Sequence, residues 1–97
     1  MGEEVGKFEA EFAKKMDVAH AVMTNSGSSA NLVGLAALVY SKQIAPGGEV
    51  IVPAVSWSTT YFPIVQLGLV PVFVDIDDMT FNISNALLAA AVTEKTV

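Results

Sequence analysis

Apolar positions near the start of the chain recur at spacings of three and four, with charged residues between them. These positions are Val5, Phe8, Phe12 and Met16. The period is that of an amphipathic helix, which we predict over residues 3–16. The short apolar run at 19–23 predicts a strand, because turn-forming residues close it at 24–29.

The next segment, residues 30–40, is apolar on nearly every side of a helical projection. A helix of this kind is normally buried on most of its faces. Gly34 lies inside the segment and lowers its helix preference by about 1 kcal/mol, which predicts close packing at that position.

The rest of the sequence alternates between strand and helix patterns. Consecutive β-branched residues at 50–52 predict a strand over 49–53 that is covered on both faces, as in a parallel sheet. The later elements are a helix at 59–67 with Pro63 in its first turn or at a kink, a strand at 70–75, and a helix at 85–92 capped by Ser84. This alternation predicts an α/β sheet with helices on its faces.

Composition indicates that other protein covers part of this chain. It has 97 residues, of which 53% are hydrophobic and 15% are charged, against a usual charged share of about 25%. A small domain needs polar residues for its large surface, and this chain has few of them. We therefore interpret it as a piece of a larger domain.

Charge and cysteine content exclude several classes of function. The net charge is −5 and Lys14-Lys15 is the only adjacent basic pair, so neither nucleic-acid nor membrane-surface binding is expected. Without cysteine, disulfide and thiolate chemistry are excluded. The acidic start is unlike a signal peptide, and the apolar run 86–92 is too short to span a membrane. A cytoplasmic protein is expected.

Small hydroxyl residues surround Gly27 where the predicted strand meets the long helix. A helix N-terminus offers unpaired N–H groups and the positive end of the helix dipole, and a glycine lets the backbone approach a ligand. Residues 24–31 therefore predict an anion site that suits a phosphate. The alternative is an ordinary turn capped by serines. The nucleotide-binding motifs G-x-x-x-x-G-K-[ST] and G-x-G-x-x-G are both absent.

The only tryptophan, Trp57, follows the predicted strand 49–53 and has small hydroxylated neighbours. Open α/β sheets bind ligands beyond the carboxyl ends of their strands. An exposed indole there could stack on a heteroaromatic ring, although a lone tryptophan could equally be a core or interface residue. A phosphate site and a flat aromatic together suggest a phosphorylated, ring-shaped cofactor.

Three segments, 25–32, 46–53 and 68–75, resemble the N-terminal part of the DegT/DnrJ/EryC1/StrS aminotransferases. That family consists of pyridoxal 5'-phosphate (PLP) enzymes of aspartate-aminotransferase fold type I, which act on nucleotide-linked keto-sugars in polysaccharide and antibiotic biosynthesis. The resemblance implies a three-layer αβα fold with an incomplete, mostly parallel sheet. It also implies that residues 1–97 form the N-terminal part of the PLP-binding large domain.

The resemblance implies a role for each matching residue. Gly27 and Ser28 would hold the cofactor phosphate with Ser29 as a helper, and Trp57 would stack on the pyridine ring. The hydroxyls of residues 58–60 are candidates to face the sugar, or else they cap a helix; these are Ser58, Thr59 and Thr60. No catalytic residue is expected in this chain, because the family's Schiff-base lysine would lie beyond Val97.

Several functions remain open at this point. The leading interpretation is a fragment, inactive alone, of a sugar aminotransferase that is a homodimer with glutamate as its amino donor. A sugar 3-dehydrase of the same family, with histidine in place of the lysine, is the close alternative. Further alternatives are a non-enzymatic binding module and a metal-dependent glycosyltransferase. The last is suggested by the D-x-D spacing of Asp75 and Asp77, which more simply forms a solvated turn, and no metal site is predicted.

Overall fold

The computed structural model describes residues 2–97, in which four helices and two strands form. They are α1 (Glu3–Lys15), α2 (Gly27–Tyr40), β1 (Glu49–Pro53), α3 (Ser58–Gln66), β2 (Val70–Val74) and α4 (Asn85–Ala91). The chain divides into two compact units, one ending at Ala30 and one beginning at Asn31.

Helix α1 dominates the first unit and confirms the predicted amphipathic helix. Glu3 and Glu4 lie in its first turn, and Lys14 and Lys15 lie in its last. This distribution of charge complements the helix dipole. Ala13 is the buried residue of the helix.

The strand predicted at residues 19–23 is wrong. This segment has no regular secondary structure. The backbone N–H of Met23 instead donates to the Glu9 carboxylate at 2.8 Å. A strand exists only where a second strand accepts its backbone hydrogen bonds, and among residues 2–97 none pairs with this segment. An apolar pattern alone could not reveal that lack.

The second unit contains a two-stranded parallel sheet, as the run of β-branched residues predicted. The register of β1 and β2 runs from Glu49 opposite Val70 to Pro53 opposite Val74. Parallel strands need a crossover connection, and α3 supplies it. A core of Val52, Ile64 and Leu69 lies where the sheet meets this helix.

The last residues of the chain extend the sheet on the other edge of β1. The N–H of Glu49 donates to the Lys95 carbonyl at 2.8 Å, and the N–H of Val97 donates to the Glu49 carbonyl at 3.0 Å. Thr96 thereby forms a parallel bridge with Glu49. The order across this end of the sheet is β2, β1, then the 95–97 segment.

Helix α3 contains a proline that the sequence placed in its first turn or at a kink. Pro63 is buried and is the sixth residue of the helix, so the first-turn alternative is wrong. The helix ends before Gly68, whose φ of +73° is the left-handed conformation that glycine adopts easily. Pro63 leaves the second turn of α3 without one backbone N–H.

Helix α2 is much less buried than its composition predicted. None of its residues is buried, and a Cβ built on Gly34 would meet no atom within 4 Å. The predictions of burial on most sides and of close packing at Gly34 are therefore wrong for residues 2–97. Leu35 and Val39 alone pack one face of the helix against the core of the second unit.

Apolar exposure extends over the whole described chain. Among residues 2–97, only six apolar side chains are buried, namely Ala13, Val52, Pro63, Ile64, Leu69 and Val74. Larger side chains such as Met79 and Phe81 are 83% and 77% exposed. This much apolar surface agrees with the interpretation of the chain as a piece of a larger domain.

Gly48 offers a direct test of the sheet edge. A Cβ at this position would lie 2.6 Å and 2.8 Å from the two methyl groups of Val97 and 3.1 Å from the Ala45 carbonyl oxygen. We expect Gly48→Ala to destabilise the full-length protein by about 1–3 kcal/mol, because the added methyl overpacks the edge. Urea unfolding measures the change.

A double-mutant cycle isolates the cause. In a Val97→Ala background the two methyl groups are absent, so Gly48→Ala should lose most of its effect. An equal effect in both backgrounds would show that contact with Val97 is not the reason.

Candidate functional site

The turn before α2 is organised by Ser26. Its hydroxyl accepts a hydrogen bond from the N–H of Ser29 at 3.2 Å, and its carbonyl accepts one from the N–H of Ala30 at 3.0 Å. This is the arrangement of an N-cap residue. Sequence reasoning did not single out Ser26, although a serine directly before a long helix is the usual signal for a cap.

The cap leaves a set of donors unused at the start of α2. Among residues 2–97, no partner is found for the backbone N–H of Gly27, the backbone N–H of Ser28 or the Ser28 hydroxyl. A Cβ on Gly27 would meet no atom within 4 Å, so the space beside it is open. Two free N–H groups, one hydroxyl and the positive end of a 14-residue helix suit a phosphate.

Ser29 differs from its two neighbours. Its N–H is bound to Ser26, and its hydroxyl lies 3.2 Å from the Ser26 hydroxyl. In this structure Ser29 therefore supports the turn. The capped-turn interpretation is compatible with the phosphate interpretation, which stays a prediction, because the two use different groups of the same segment.

Trp57 occupies a turn of the second unit, between β1 and α3. It is the residue before α3, with an extended backbone, and its carbonyl accepts from the N–H of Thr60 at 2.9 Å. The side chain is 83% exposed, and no aromatic ring of residues 2–97 stacks on it. Its indole face is free, as the sequence suggested.

The three hydroxyl residues after Trp57 form the first turn of α3. The Thr60 hydroxyl is paired with the Ser56 hydroxyl at 2.9 Å. For the hydroxyls of Ser58 and Thr59, residues 2–97 provide no partner. The start of α3 has no side-chain cap, so the helix-capping alternative is wrong for these three residues. Ser58 and Thr59 keep hydroxyls without a partner among residues 2–97.

Asn31 also reaches this turn, which the sequence did not predict. Its side-chain amide Nδ2 donates to the Thr59 carbonyl at 3.3 Å. Within the second unit the structure thus brings together Asn31 and the segment 56–60. Within the first unit it brings together residues 26–29.

The aspartates of the D-x-D segment are used by their own turn. The Asp77 carboxylate accepts from the N–H groups of Met79 at 3.0 Å and Thr80 at 2.9 Å. The bond from Thr80 and then that from Met79 hold the pKa of Asp77 below its usual range. The Asp75 carboxylate accepts from the N–H of Ile76 at 2.8 Å. These contacts are those of the solvated turn.

Residues 2–97 contain no group of three or more His, Cys, Asp or Glu side chains placed to hold a metal ion. None of their helices combines the length and the apolar character that a membrane crossing requires.

Comparison with known proteins identifies the family. The sequence profile of the DegT/DnrJ/EryC1/StrS aminotransferase family matches residues 1–97. The chain belongs to this family. The recognition of PLP-dependent fold type I from the three sequence segments is therefore confirmed, and the family's cofactor is PLP.

Relatives of this chain include a protein named as a 3-dehydratase and one named as an aminotransferase. It is 53% identical to the GDP-4-keto-6-deoxy-D-mannose 3-dehydratase of Yersinia pseudotuberculosis, over 99% of this chain and 25% of the relative. It is 38% identical to a UDP-N-acetyl-3-dehydro-alpha-D-glucosamine 3-aminotransferase of Acidithiobacillus ferrooxidans, over 99% of this chain and 25% of the relative.

A solved structure is also similar. The structure of the E. coli GDP-4-keto-6-deoxy-D-mannose 3-dehydratase with bound hydrated PLP has a TM-score of 0.91 and 52% identity, over 99% of this chain and 25% of that one. This similarity confirms the α/β fold of the family. The chain spans about a quarter of the length of the relatives it matches.

Two serine substitutions test whether Ser26 caps α2 while the Ser28 hydroxyl has no structural role. We expect Ser26→Ala to lower the free energy of unfolding by about 1 kcal/mol, because the cap of α2 is lost. Ser28→Ala removes a hydroxyl that has no partner, so it should change the free energy of unfolding by less than about 0.5 kcal/mol. Urea unfolding of the full-length protein compares them, and equal losses would contradict the assignment of the cap to Ser26.

The Asp77 turn predicts a dependence on pH. Its pKa is lower in the folded state than in the unfolded state, so the stabilisation is complete above the unfolded value and is lost as pH falls through the folded one. We expect the amide NMR signals of Met79 and Thr80 to shift only below about pH 4. In Asp77→Asn this titration step should vanish; its persistence would assign it to another group.

Proposed function

We propose that this chain is the N-terminal part of a PLP-dependent enzyme that acts on a nucleotide-linked keto-sugar. The observation that carries the proposal is the unused donor set of Gly27 and Ser28 at the start of a long helix. Membership of a family with this cofactor supports it. Residues 1–97 would belong to the PLP-binding large domain, and the catalytic remainder would follow Val97.

The cofactor would be held by two turns. Gly27 and Ser28 would donate to its phosphate, with Ser29 supporting them through Ser26. Trp57 would cover one face of its ring. That both turns bind the same cofactor is part of the proposal. When bound, PLP supplies an electron sink for chemistry next to a carbonyl group, and the protein orients it.

The reaction that we favour is the 3-dehydration of a nucleotide-linked 4-keto-6-deoxy sugar. Where the sequences align, this chain is 53% identical to the relative named as a 3-dehydratase and 38% identical to the one named as an aminotransferase. This reverses the order that the sequence alone suggested. Ser58 and Thr59 are the candidates to contact the sugar, and Thr60 is less suited because Ser56 already engages its hydroxyl.

A sugar aminotransferase is the second candidate, because the family carries that activity in its description. The residue that would decide lies beyond Val97, where lysine indicates an aminotransferase and histidine a dehydratase. A homodimer, glutamate as amino donor and a cytoplasmic location stay predictions for either enzyme.

The two functions are separable by their products. The full-length protein would be incubated with PLP, glutamate and GDP-4-keto-6-deoxy-D-mannose, and the product analysed by mass spectrometry. Loss of the oxygen at C3 without gain of nitrogen supports the dehydratase. Gain of an amino group supports the aminotransferase, and neither product overturns both for this sugar.

Trp57 and Ser28 test the cofactor site itself. We expect Trp57→Ala and Ser28→Ala to weaken PLP binding by the full-length protein by about tenfold each, since each loses one contact of about 1 kcal/mol or more. Titration of each variant with PLP, followed by the absorbance of the bound cofactor, measures the dissociation constant. Tyr40→Ala is the control, because Tyr40 is an aromatic residue that is 80% exposed outside the proposed site. Equal affinities in all variants would remove both residues from the site.

The isolated 97-residue chain provides a further test. We expect it to show no turnover and at most weak PLP binding, because the proposed lysine or histidine is absent from it. Absorption spectroscopy with added PLP checks this. A cofactor band together with turnover would contradict the placement of the catalytic residues.

A further inference from the structure

Pro63 removes one hydrogen bond from the interior of α3. Proline has no backbone N–H, so the carbonyl four residues earlier loses its helical donor. In α3 that carbonyl belongs to Thr59. Thr59 is half-buried, and a carbonyl without a partner in such a place would destabilise the helix.

Asn31 supplies the donor that Pro63 lacks. Its Nδ2 lies 3.3 Å from the Thr59 carbonyl oxygen. Asn31 lies four residues before Leu35 and eight before Val39, so the three share one stripe of α2. Leu35 and Val39 pack against the core of Val52, Ile64 and Leu69. This packing places the stripe beside a core to which Ile64 of α3 belongs.

The bonded carbonyl lies in the turn that carries Trp57. Three contacts hold this turn: the N–H of Thr60 on the Trp57 carbonyl at 2.9 Å, the Ser56–Thr60 hydroxyl pair at 2.9 Å, and the Asn31 amide on Thr59. The first two join residues within the turn. Among the hydrogen bonds of residues 2–97, that of Asn31 alone ties the turn to another helix. The Trp57 side chain forms no hydrogen bond that caps the helix, so the position of the indole depends on the backbone of residue 57.

We propose that Asn31 is a positioning residue for Trp57. Its side-chain amide replaces the helical hydrogen bond that Pro63 removes, and it thereby holds the first turn of α3 in the geometry that presents the indole. The link to the cofactor rests on the proposed function, whereas the link between Asn31 and Pro63 stands without it.

The amide group is specifically required. A carbonyl oxygen needs a donor, and of the two ends of an asparagine amide only the NH₂ group donates. An aspartate at position 31 would place a carboxylate oxygen against the Thr59 carbonyl. Asn31→Asp should therefore disturb the turn at least as much as Asn31→Ala, although it changes the shape of the side chain least.

A double-mutant cycle in the full-length protein tests the pairing. In the Pro63→Ala background, residue 63 regains an N–H that can bond to Thr59, so Asn31 is no longer needed. We expect Asn31→Ala to raise the hydrogen-exchange rate of the amides of residues 60–62 and 64 by about fivefold in the Pro63 background. In the Pro63→Ala background it should raise that rate by less than about twofold. Asn85→Ala, which alters an exposed asparagine on α4, is the control and should leave the rate unchanged.

Equal effects of Asn31→Ala in the two backgrounds, or none in either, would overturn the proposal. If Pro63→Ala does not fold, Asn31→Asp decides. Exchange of the amides of residues 60–62 and 64 at least as fast as in Asn31→Ala supports the donor role, and any slower exchange overturns it.

The link to the cofactor has its own readout. We expect Asn31→Ala to change the visible circular dichroism of bound PLP, since a displaced indole alters the surroundings of the ring, and to change it much less in the Pro63→Ala background. Trp57→Ala distinguishes a failure of the proposed stacking from a failure of the positioning by Asn31. If Trp57→Ala leaves this signal unchanged, the proposed stacking is wrong. The hydrogen-exchange experiment then still tests the pairing of Asn31 with Pro63. If Trp57→Ala alters the signal and Asn31→Ala does not, positioning by Asn31 fails alone.

Discussion

Parallel pairing of β1 with β2 is the constraint on which the second unit depends. Because parallel strands must be joined by a crossover, α3 lies between them in sequence and packs Ile64 against the sheet. The same pairing puts the ends of both strands at one edge. Trp57 follows the first strand and Asp75 follows the second, so both lie on turns beyond the carboxyl ends, where open α/β sheets bind ligands.

Helix starts carry most of the candidate chemistry. At α2, Ser26 satisfies the N–H of Ser29, while those of Gly27 and Ser28 have no partner among residues 2–97. At α3, Trp57 contributes only its carbonyl, and its ring stays free. A cap and a binding site are therefore compatible at one helix terminus, because four N–H groups are available there and a single cap uses one.

Exposed apolar surface and the length of the relatives have one explanation. The chain matches about a quarter of each relative, and its described residues bury only six apolar side chains. Side chains that a complete domain would cover are exposed instead, α2 being the clearest case. The share of each relative that the chain matches and its exposed apolar surface are independent observations, and both support its interpretation as a piece of a larger domain.

Sequence alone determined the amphipathic α1, the parallel β1–β2 pair, the Ser84 cap of α4 and the family, because each depends on local periodicity or on a short motif. It failed at residues 19–23 and at α2, since strand formation and burial require partners that lie elsewhere. The Asn31–Thr59 contact joins residues 28 positions apart, and no local pattern encodes it. Tertiary structure alone decided which hydroxyls and N–H groups are engaged, because hydrogen-bond partners depend on distance in space rather than along the chain.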